Sequence, residues 1–258
     1  MRRFLLCLLF FAAAAARAAP APLVFAFDEV HPWKTYEAGT YGGAYTEIVR
    51  ELARRLDLPL EIKRCPLKRC LFMLERGDAD IIIGLRSDAE RSRYLNFLVT
   101  PYRKRAADRV FYVHRDGGPA IHKYEDLVGL RIGVKDGANY FSRFDQDTRL
   151  QRDGSRDAET SLRKLALHRI DAVIVPEDQG EALLTRLGLR ASLAKAAYRE
   201  PDASSRAIGL ARRSVHAPRQ AEFDKAMGDM VRDGTLDAIY KRYYYEAFKV
   251  PADSVQIR

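Results

Sequence analysis

The side chains most suggestive of chemistry in this sequence are arginines that directly follow an apolar segment. The run RSDAERSR places Arg86 and Arg91 after ADIIIG, residues 79–84. A guanidinium group binds a carboxylate through two parallel hydrogen bonds, which a lysine cannot do. Arginines in so polar a run are also compatible with a solvated surface. The five histidines are scattered, without a Ser-His-Asp pattern or metal-ligand spacing, so the residues indicate binding and identify no catalytic residue.

The N-terminal segment indicates export. Arg2 and Arg3 precede an apolar run over residues 4–16, and small residues follow. This pattern is typical of a signal peptide, residues 1–18, cleaved after Ala18. A buried N-terminal helix is the alternative, but a run of alanines without a polar face does not form an amphipathic surface helix. We therefore expect a periplasmic protein.

Composition and charge narrow the class further. The remaining chain of about 240 residues can form two modest lobes or one large domain, and the sequence is 47% hydrophobic. The formal net charge of +9 falls to about +6 without the three arginines of residues 1–18, which suits an anionic ligand or an acidic partner surface. The basic residues are interspersed with 35 acidic ones and accompany no recognition motif, so we expect no nucleic-acid partner.

Two cysteines follow residue 18, at positions 65 and 70. In an oxidising compartment, a disulfide between Cys65 and Cys70 is the favoured outcome. A metal site is the alternative, but two thiols without a nearby histidine do not supply four ligands. We expect a disulfide, no metal and no cofactor.

The hydrophobic periodicity predicts alternating strands and helices. Before residue 110 it predicts strands over 23–28, 60–63 and 79–84 and helices over 45–56 and 68–77. A second unit follows, with strands over 110–114, 131–134 and 172–175 and helices over 158–167 and 178–187. A last strand over 207–210 and two helices through Tyr244 complete the pattern. This alternation predicts an α/β fold with mainly parallel sheets and crossovers near residues 103–109 and 198–206.

Three segments resemble a known family. They are GGAYTEIVRELARRLDL, CPLKRCLFMLERGDADIIIGLRSDAERSRYLNFLVTPY and MVRDGTLDAIYKRY. In this order they resemble the bacterial extracellular solute-binding proteins, family 3, the periplasmic receptors of polar amino-acid ABC importers. The resemblance implies a type II periplasmic binding protein fold, in which two α/β lobes are joined by two hinge strands around a ligand cleft. Lobe 1 would comprise residues 23–109 and 206–250, and lobe 2 residues 110–205.

In lobe 1 the resemblance implies that Arg91 holds a ligand carboxylate and that Asp28 helps to hold a ligand ammonium. Gly84 belongs to the same expected site. Arg86 stands where amino-acid binders carry a small hydroxyl residue, so it adds a second cation unless it points away or pairs with Asp88. Trp33 would place its ring against the ligand, with a role in the core as the alternative.

In lobe 2 the resemblance implies a ligand-binding turn in GVKDGANY, where Ala138 and Asn139 would contact the ligand. Asn139 replaces the usual threonine, and it could instead cap a helix. The second acidic position of the family is filled by Pro176, so Glu177 or Asp178 would substitute for it, or else the ligand is not an α-amino acid.

The resemblance thus implies a monomeric receptor that captures a small polar solute by lobe closure and delivers it to an ABC permease. Two alternatives remain open. One is a periplasmic cyclohexadienyl-dehydratase-like enzyme, which uses the same fold, and the other is a stand-alone sensory or partner-binding module. Because Arg86, Asn139 and Pro176 depart from the family pattern, the sequence predicts a polar, anionic solute more firmly than an amino acid.

Overall fold

A computed structural model describes residues 20–247 of the chain. The predicted signal peptide, residues 1–18, and the last residues predicted for lobe 1, 248–250, lie outside this range. Within it, no helix combines the length and apolar character needed to cross a membrane.

The described residues form twelve strands and seven α-helices. The strands are β1 (Leu23–Phe27), β2 (Thr35–Glu37), β3 (Thr40–Gly42), β4 (Leu60–Arg64), β5 (Ile81–Ile82), β6 (Leu95–Phe97), β7 (Arg109–His114), β8 (Arg131–Lys135), β9 (Gln151–Ser155), β10 (Ala172–Pro176), β11 (Leu193–Glu200) and β12 (Gly209–Ala211). The α-helices are α1 (Ala44–Arg55), α2 (Leu67–Arg76), α3 (Ser142–Gln146), α4 (Ala158–Ala166), α5 (Glu177–Leu187), α6 (Gln220–Arg232) and α7 (Thr235–Tyr240). Short 3₁₀ turns cover Arg91–Arg93, Tyr124–Leu127 and Ala217–Arg219, and a π-helical turn covers Lys241–Glu246.

Two five-stranded sheets divide the chain into two lobes. Lobe 1 is built on the order β4-β1-β5-β12-β6, and lobe 2 on the order β11-β7-β10-β8-β9. The two segments that cross between the sheets lie side by side, because Arg103 and Arg206 form an isolated antiparallel bridge. The two-lobed α/β fold predicted from the sequence is therefore confirmed.

The prediction of mainly parallel sheets needs correction. β1 runs parallel to β4 and β5, and β8 runs parallel to β9 and β10. By contrast, β12 is antiparallel to β5 and β6, and β7 is antiparallel to β10 and β11. The strands that follow the two crossovers, β7 and β12, enter their sheets in the opposite direction to their neighbours.

Helix α1 packs on the core of lobe 1 through one apolar face. Ile48, Val49 and Leu52 are fully buried in the lobe 1 core, as expected for one apolar stripe on a 3.6-residue period. The helix follows Gly43, whose φ of 93° lies in the left-handed region and where a Cβ would lie 2.4 Å from the Trp33 carbonyl oxygen. Only glycine fits that approach of helix and loop.

The predicted strand over residues 79–84 is shorter than expected. Only Ile81–Ile82 form ladder pairs, although Ile83 is also fully buried. Gly84 has a φ of 101°, so the backbone turns away from the sheet there. This turn directs the following residues towards the space between the lobes.

The disulfide between Cys65 and Cys70 is confirmed, with a Cα–Cα distance of 5.5 Å. It joins the end of β4 to the first turns of α2.

Closing so short a loop stabilises a fold by roughly 2 kcal/mol on the chain-entropy model. We therefore expect a reductant to lower the free energy of unfolding of the purified protein by about this amount, measured by urea denaturation.

The control is a variant with both Cys65→Ala and Cys70→Ala, whose urea midpoint should not respond to the reductant. Coincident midpoints for the oxidised and reduced wild-type protein would show that the bond adds no stability.

Candidate ligand-binding cleft

The candidate site lies between the lobes, where several parallel strands end. Asp28 follows β1, the turn at Gly84 follows β5, Lys135 ends β8 and Pro176 ends β10. The crevice beyond the carboxyl ends of parallel strands is the usual ligand site of open α/β sheets. Here it contains a cavity of about 110 Å³. Its lining residues are Asp28, Val30, Leu67, Gly84, Leu85, Arg86, Arg91, Arg109, Lys135, Ala138, Asn139, Tyr140, Ala158, Pro176, Gln179 and Arg206.

Most of the predicted site residues meet at this cavity. Asp28, Gly84, Arg86 and Arg91 line it from lobe 1, and Ala138 and Asn139 line it from lobe 2. Trp33 and Glu177 are absent from the lining.

Trp33 lies in the core of lobe 1. Its indole is 3% exposed and stacks against two tyrosine rings, 5.0 Å from Tyr45 and 4.4 Å from Tyr244 between ring centroids. The large apolar ring is thus packed against other aromatic rings. Of the two roles considered from the sequence, this is the core role.

Glu177 begins α5 but points along the surface of lobe 2. Its carboxylate accepts hydrogen bonds from Lys195 and, at 2.9 Å, from Arg199, both on β11. The neighbouring Asp178 is buried and ion-paired with Arg103 at 2.6 Å. Neither carboxylate lines the cavity, which receives Pro176 and Gln179 from this segment.

Asp28 forms an ion-pair cluster across the cleft. Lys34 of lobe 1 donates to its Oδ1, and Lys135 of lobe 2 donates to its Oδ2 at 2.6 Å. The Lys34 ammonium also donates to the Ile83 carbonyl oxygen at 2.8 Å, and that of Lys135 to the Glu29 carbonyl oxygen at 3.3 Å. One carboxylate thus holds a cation from each lobe.

The charge state of this cluster follows from its surroundings. Burial by itself would raise the pKa of Asp28, but Lys135 and Lys34 outweigh burial and lower the pKa from 3.8 to about 2. Burial lowers the pKa of Lys34, and Asp28 opposes that change. Asp28 is therefore ionised at neutral pH and occupied by the protein's own ammonium groups.

Arg91 connects the lobes as well. Its guanidinium is 4% exposed and donates to the carbonyl oxygens of Arg86 at 2.9 Å and Gly137 at 3.0 Å. Asp88 lies 3.5 Å from the same group and also accepts a hydrogen bond of 2.7 Å from the Asn139 amide. Arg86 does not point away: it donates across the cleft to the Tyr140 carbonyl oxygen.

A second group of arginines lies at the crossovers. Arg109 and Arg206 both contact Oδ2 of Asp202, at 3.1 Å and 2.5 Å. Burial, reinforced by Arg206, lowers the pKa of Arg109 to about 10. Two buried guanidinium groups thus share one carboxylate, which leaves a positive charge beside the cavity.

The balance of charge around the cavity is strongly positive. Five of its lining residues are cationic and Asp28 is the one carboxylate among them. When Lys34 and the carboxylates that pair with these cations are added, the cavity and its ion-pair partners have six positive charges and three negative charges, the latter on Asp28, Asp88 and Asp202. Such an excess in a desolvated space favours an anion.

A larger cavity of about 520 Å³ adjoins this one, and Asp28, Leu67 and Lys135 line both. The Asp28–Lys135 ion pair is therefore part of the wall between them. The larger cavity adds Arg64 and Arg156 but also Glu29 and Asp157, so its charges balance. The smaller cavity is the better anion site.

Sequence reasoning missed Lys34, Lys135, Arg109 and Arg206. A signal existed for Lys135, because it ends an apolar strand, RIGVK, where side chains of parallel strands reach a site. Its partner Asp28 is 107 residues away, and no local pattern connects the two.

Two α/β lobes around a polar cleft define a periplasmic-type solute-binding protein. The chain belongs to the bacterial extracellular solute-binding proteins, family 3, which it matches over residues 23–246. The family resemblance read from the sequence is thus confirmed.

Individual relatives are distant. The chain is 26% identical over 204 residues, 75% of this chain and 76% of the relative, to a putative amino-acid ABC transporter-binding protein, PatH, of Vibrio harveyi. It is 24% identical over 208 residues, 80% and 75% of the two chains, to the L-cystine-binding protein TcyJ of Escherichia coli K12.

Solved structures share the fold. An ancestral arginine-binding protein bound to arginine superposes with a TM-score of 0.75 at 20% identity, covering 88% of this chain and 99% of that one. A histidine kinase sensor domain with similarity to periplasmic binding proteins gives 0.73 at 20% identity, covering 87% and 96%.

Because of the ion-pair cluster at Asp28, the free energy of unfolding depends on the negative charge of this one carboxylate. Removing the charge leaves two buried ammonium groups uncompensated, so we expect Asp28→Asn to lower the free energy of unfolding at pH 7 by about 3 to 5 kcal/mol. Because the folded pKa of Asp28 lies below its ordinary value of 3.8, its contribution is present above pH 3.8 and is lost as the pH falls towards about 2. Urea unfolding as a function of pH measures both effects.

Asp229→Asn is the matched control, because Asp229 also contacts two cations, Lys225 and Arg232, but on the exposed face of α6. We expect it to change stability little. An equal loss of unfolding free energy in both variants would mean that the buried Asp28 cluster stabilises the protein no more than an exposed ion pair does.

Proposed function

We propose that the protein is a periplasmic receptor that captures a small polar solute bearing a carboxylate, closes its two lobes around it and delivers it to an ABC importer. The observation that carries this proposal is the burial of Arg91 at a cationic cavity to which both lobes contribute. A guanidinium group in such a place binds a carboxylate in two parallel hydrogen bonds.

The contacts between the lobes support a closing mechanism. Lys135–Asp28, Arg91–Gly137, Arg86–Tyr140 and Asn139–Asp88 all join residues of opposite lobes beside the cavity. A ligand that touches both lobes adds to these contacts only in the closed form. It therefore shifts the population towards closure.

The crossovers suit this motion. They are two short segments held together at Arg103 and Arg206, and each lobe has its own hydrophobic core. Rotation about the crossovers leaves both cores intact. The closed shape is then the signal that a membrane partner reads. The similarity to an amino-acid ABC transporter-binding protein of Vibrio harveyi favours a permease as that partner.

Thermal-shift measurements with a panel of amino acids, dicarboxylates and small inorganic anions test this proposal. A ligand at 100 times its dissociation constant stabilises a protein by about 2.7 kcal/mol, which raises Tm by several degrees. We expect at least one carboxylate-bearing solute to give such a shift and Arg91→Ala to abolish it, because the guanidinium that receives the carboxylate is gone.

Arg93→Ala is the control, since Arg93 lies in the same 3₁₀ turn but is exposed and does not line the cavity. The ligand-induced increment in Tm is compared, so a change in the stability of the free variant does not affect the result. An unchanged increment in Arg91→Ala excludes the proposed carboxylate site, and a panel without any response refutes the receptor function.

A further inference from the structure

The cavity has no carboxylate available for a ligand ammonium. Asp28 is the one acid among the described lining residues, and both of its oxygens accept hydrogen bonds from lysines. A ligand ammonium would have to displace Lys34 or Lys135. Displacement would leave a buried lysine without its counter-ion, which is costly.

The acids just outside the cavity are occupied too. Asp178 is paired with Arg103, and Asp202 with Arg109 and Arg206. Asp88 contacts Arg91 and Asn139. An α-amino group entering the cleft would therefore meet a cationic lining without a free carboxylate.

The cations around the cavity form two groups that can each receive an acid. Arg86 and Arg91 approach it from lobe 1, and Arg109 and Arg206 approach it from the crossovers. Asp202 neutralises only part of the second group, as Arg109 and Arg206 share one of its oxygens. Two separate carboxylates on one ligand would match this arrangement.

The size of the cavity favours a small ligand. Its volume of about 110 Å³ is well below the roughly 300 Å³ at which pockets for drug-sized ligands begin. The Asp28–Lys135 ion pair forms part of the wall towards the larger cavity, so it lies between a ligand in the smaller cavity and the larger one.

We infer that the cleft selects a small dicarboxylate without an amino group, and that Lys135 is the residue that excludes amino acids by occupying Asp28. This inference rests on the proposed receptor function and narrows its ligand class. Lys135 acts in two ways: it adds positive charge to the cavity, and it removes the acceptor that an ammonium would need.

Isothermal titration calorimetry with matched pairs tests the inference. The probes are succinate against L-aspartate and glutarate against L-glutamate, which differ within each pair only by the amino group, with sulfate as a dianion that lacks a carbon chain. We expect at least one dicarboxylate to bind with a dissociation constant at least about tenfold below that of its amino acid and of sulfate.

The variant Lys135→Met should weaken dicarboxylate binding and free one oxygen of Asp28. We expect the ratio of amino-acid to dicarboxylate dissociation constants to fall by about tenfold or more. Lys225→Met is the control, because Lys225 pairs with Asp229 on the exposed face of α6, and the ratio should remain unchanged.

The outcomes separate the two proposals. Equal or tighter binding of the amino acid overturns the dicarboxylate inference while the receptor function stands. Equal or tighter binding of sulfate overturns both the inference and the proposed carboxylate class of the ligand, but not the capture of a small polar solute. The same holds if other polar solutes bind and none of these probes does. An unchanged ratio in a folded Lys135→Met variant removes the role of Lys135. Absence of binding for every polar solute tested counts against the receptor function itself.

Discussion

The ion-pair cluster of Asp28 with Lys34 and Lys135 is the constraint on which the organisation of the cleft depends. A buried carboxylate is stable only with counter-charges, and here one counter-charge comes from each lobe. The cluster therefore ties the fold of lobe 1 to the position of lobe 2. It also decides the chemistry of the cavity, because the acid that could hold a cationic ligand group is already neutralised by the protein.

The other charges extend this arrangement. Arg91 donates to the backbone carbonyl oxygens of Arg86 and Gly137. These acceptors are uncharged, so they fix the position of the guanidinium without neutralising its charge. At the crossovers, Asp202 holds two arginines with one oxygen. The elements that position these groups are strand ends and tight turns, such as that at Gly84, whose left-handed φ turns the chain from the sheet into the cleft. The outcome is a small cationic cavity between two separately packed lobes.

The sequence predicted the elements whose apolar period is strong. Helix α1 and strands β1, β7 and β10 were placed within one or two residues of their observed bounds, because burial on one or both sides dictates their residue types. Strand β9, QRDGS, was missed because it is polar and mostly exposed. It is held by backbone hydrogen bonds to β8, and backbone pairing does not require an apolar pattern in the sequence. The β2–β3 hairpin was missed because each of its strands has only three residues, too few to show a period.

The sequence predicted several residues of the candidate site but not the ion pairs between them. Arg91, Arg86, Asp28 and Asn139 were found through family motifs, and the structure brings them to one cavity. The roles of Lys34 and Lys135 could not be found in that way, because they depend on distances between groups in different lobes. Likewise, Trp33 stacks against Tyr45 and Tyr244. These two residues are distant from each other in the sequence and come together only in the folded chain.

A crystal structure of the protein saturated with the tightest-binding solute from the calorimetric series tests the role of the Asp28 cluster most directly. We expect a ligand carboxylate on the Arg91 guanidinium, with Asp28 still bridged by Lys34 and Lys135. A ligand ammonium on Asp28, with Lys135 displaced from the cleft, would contradict it.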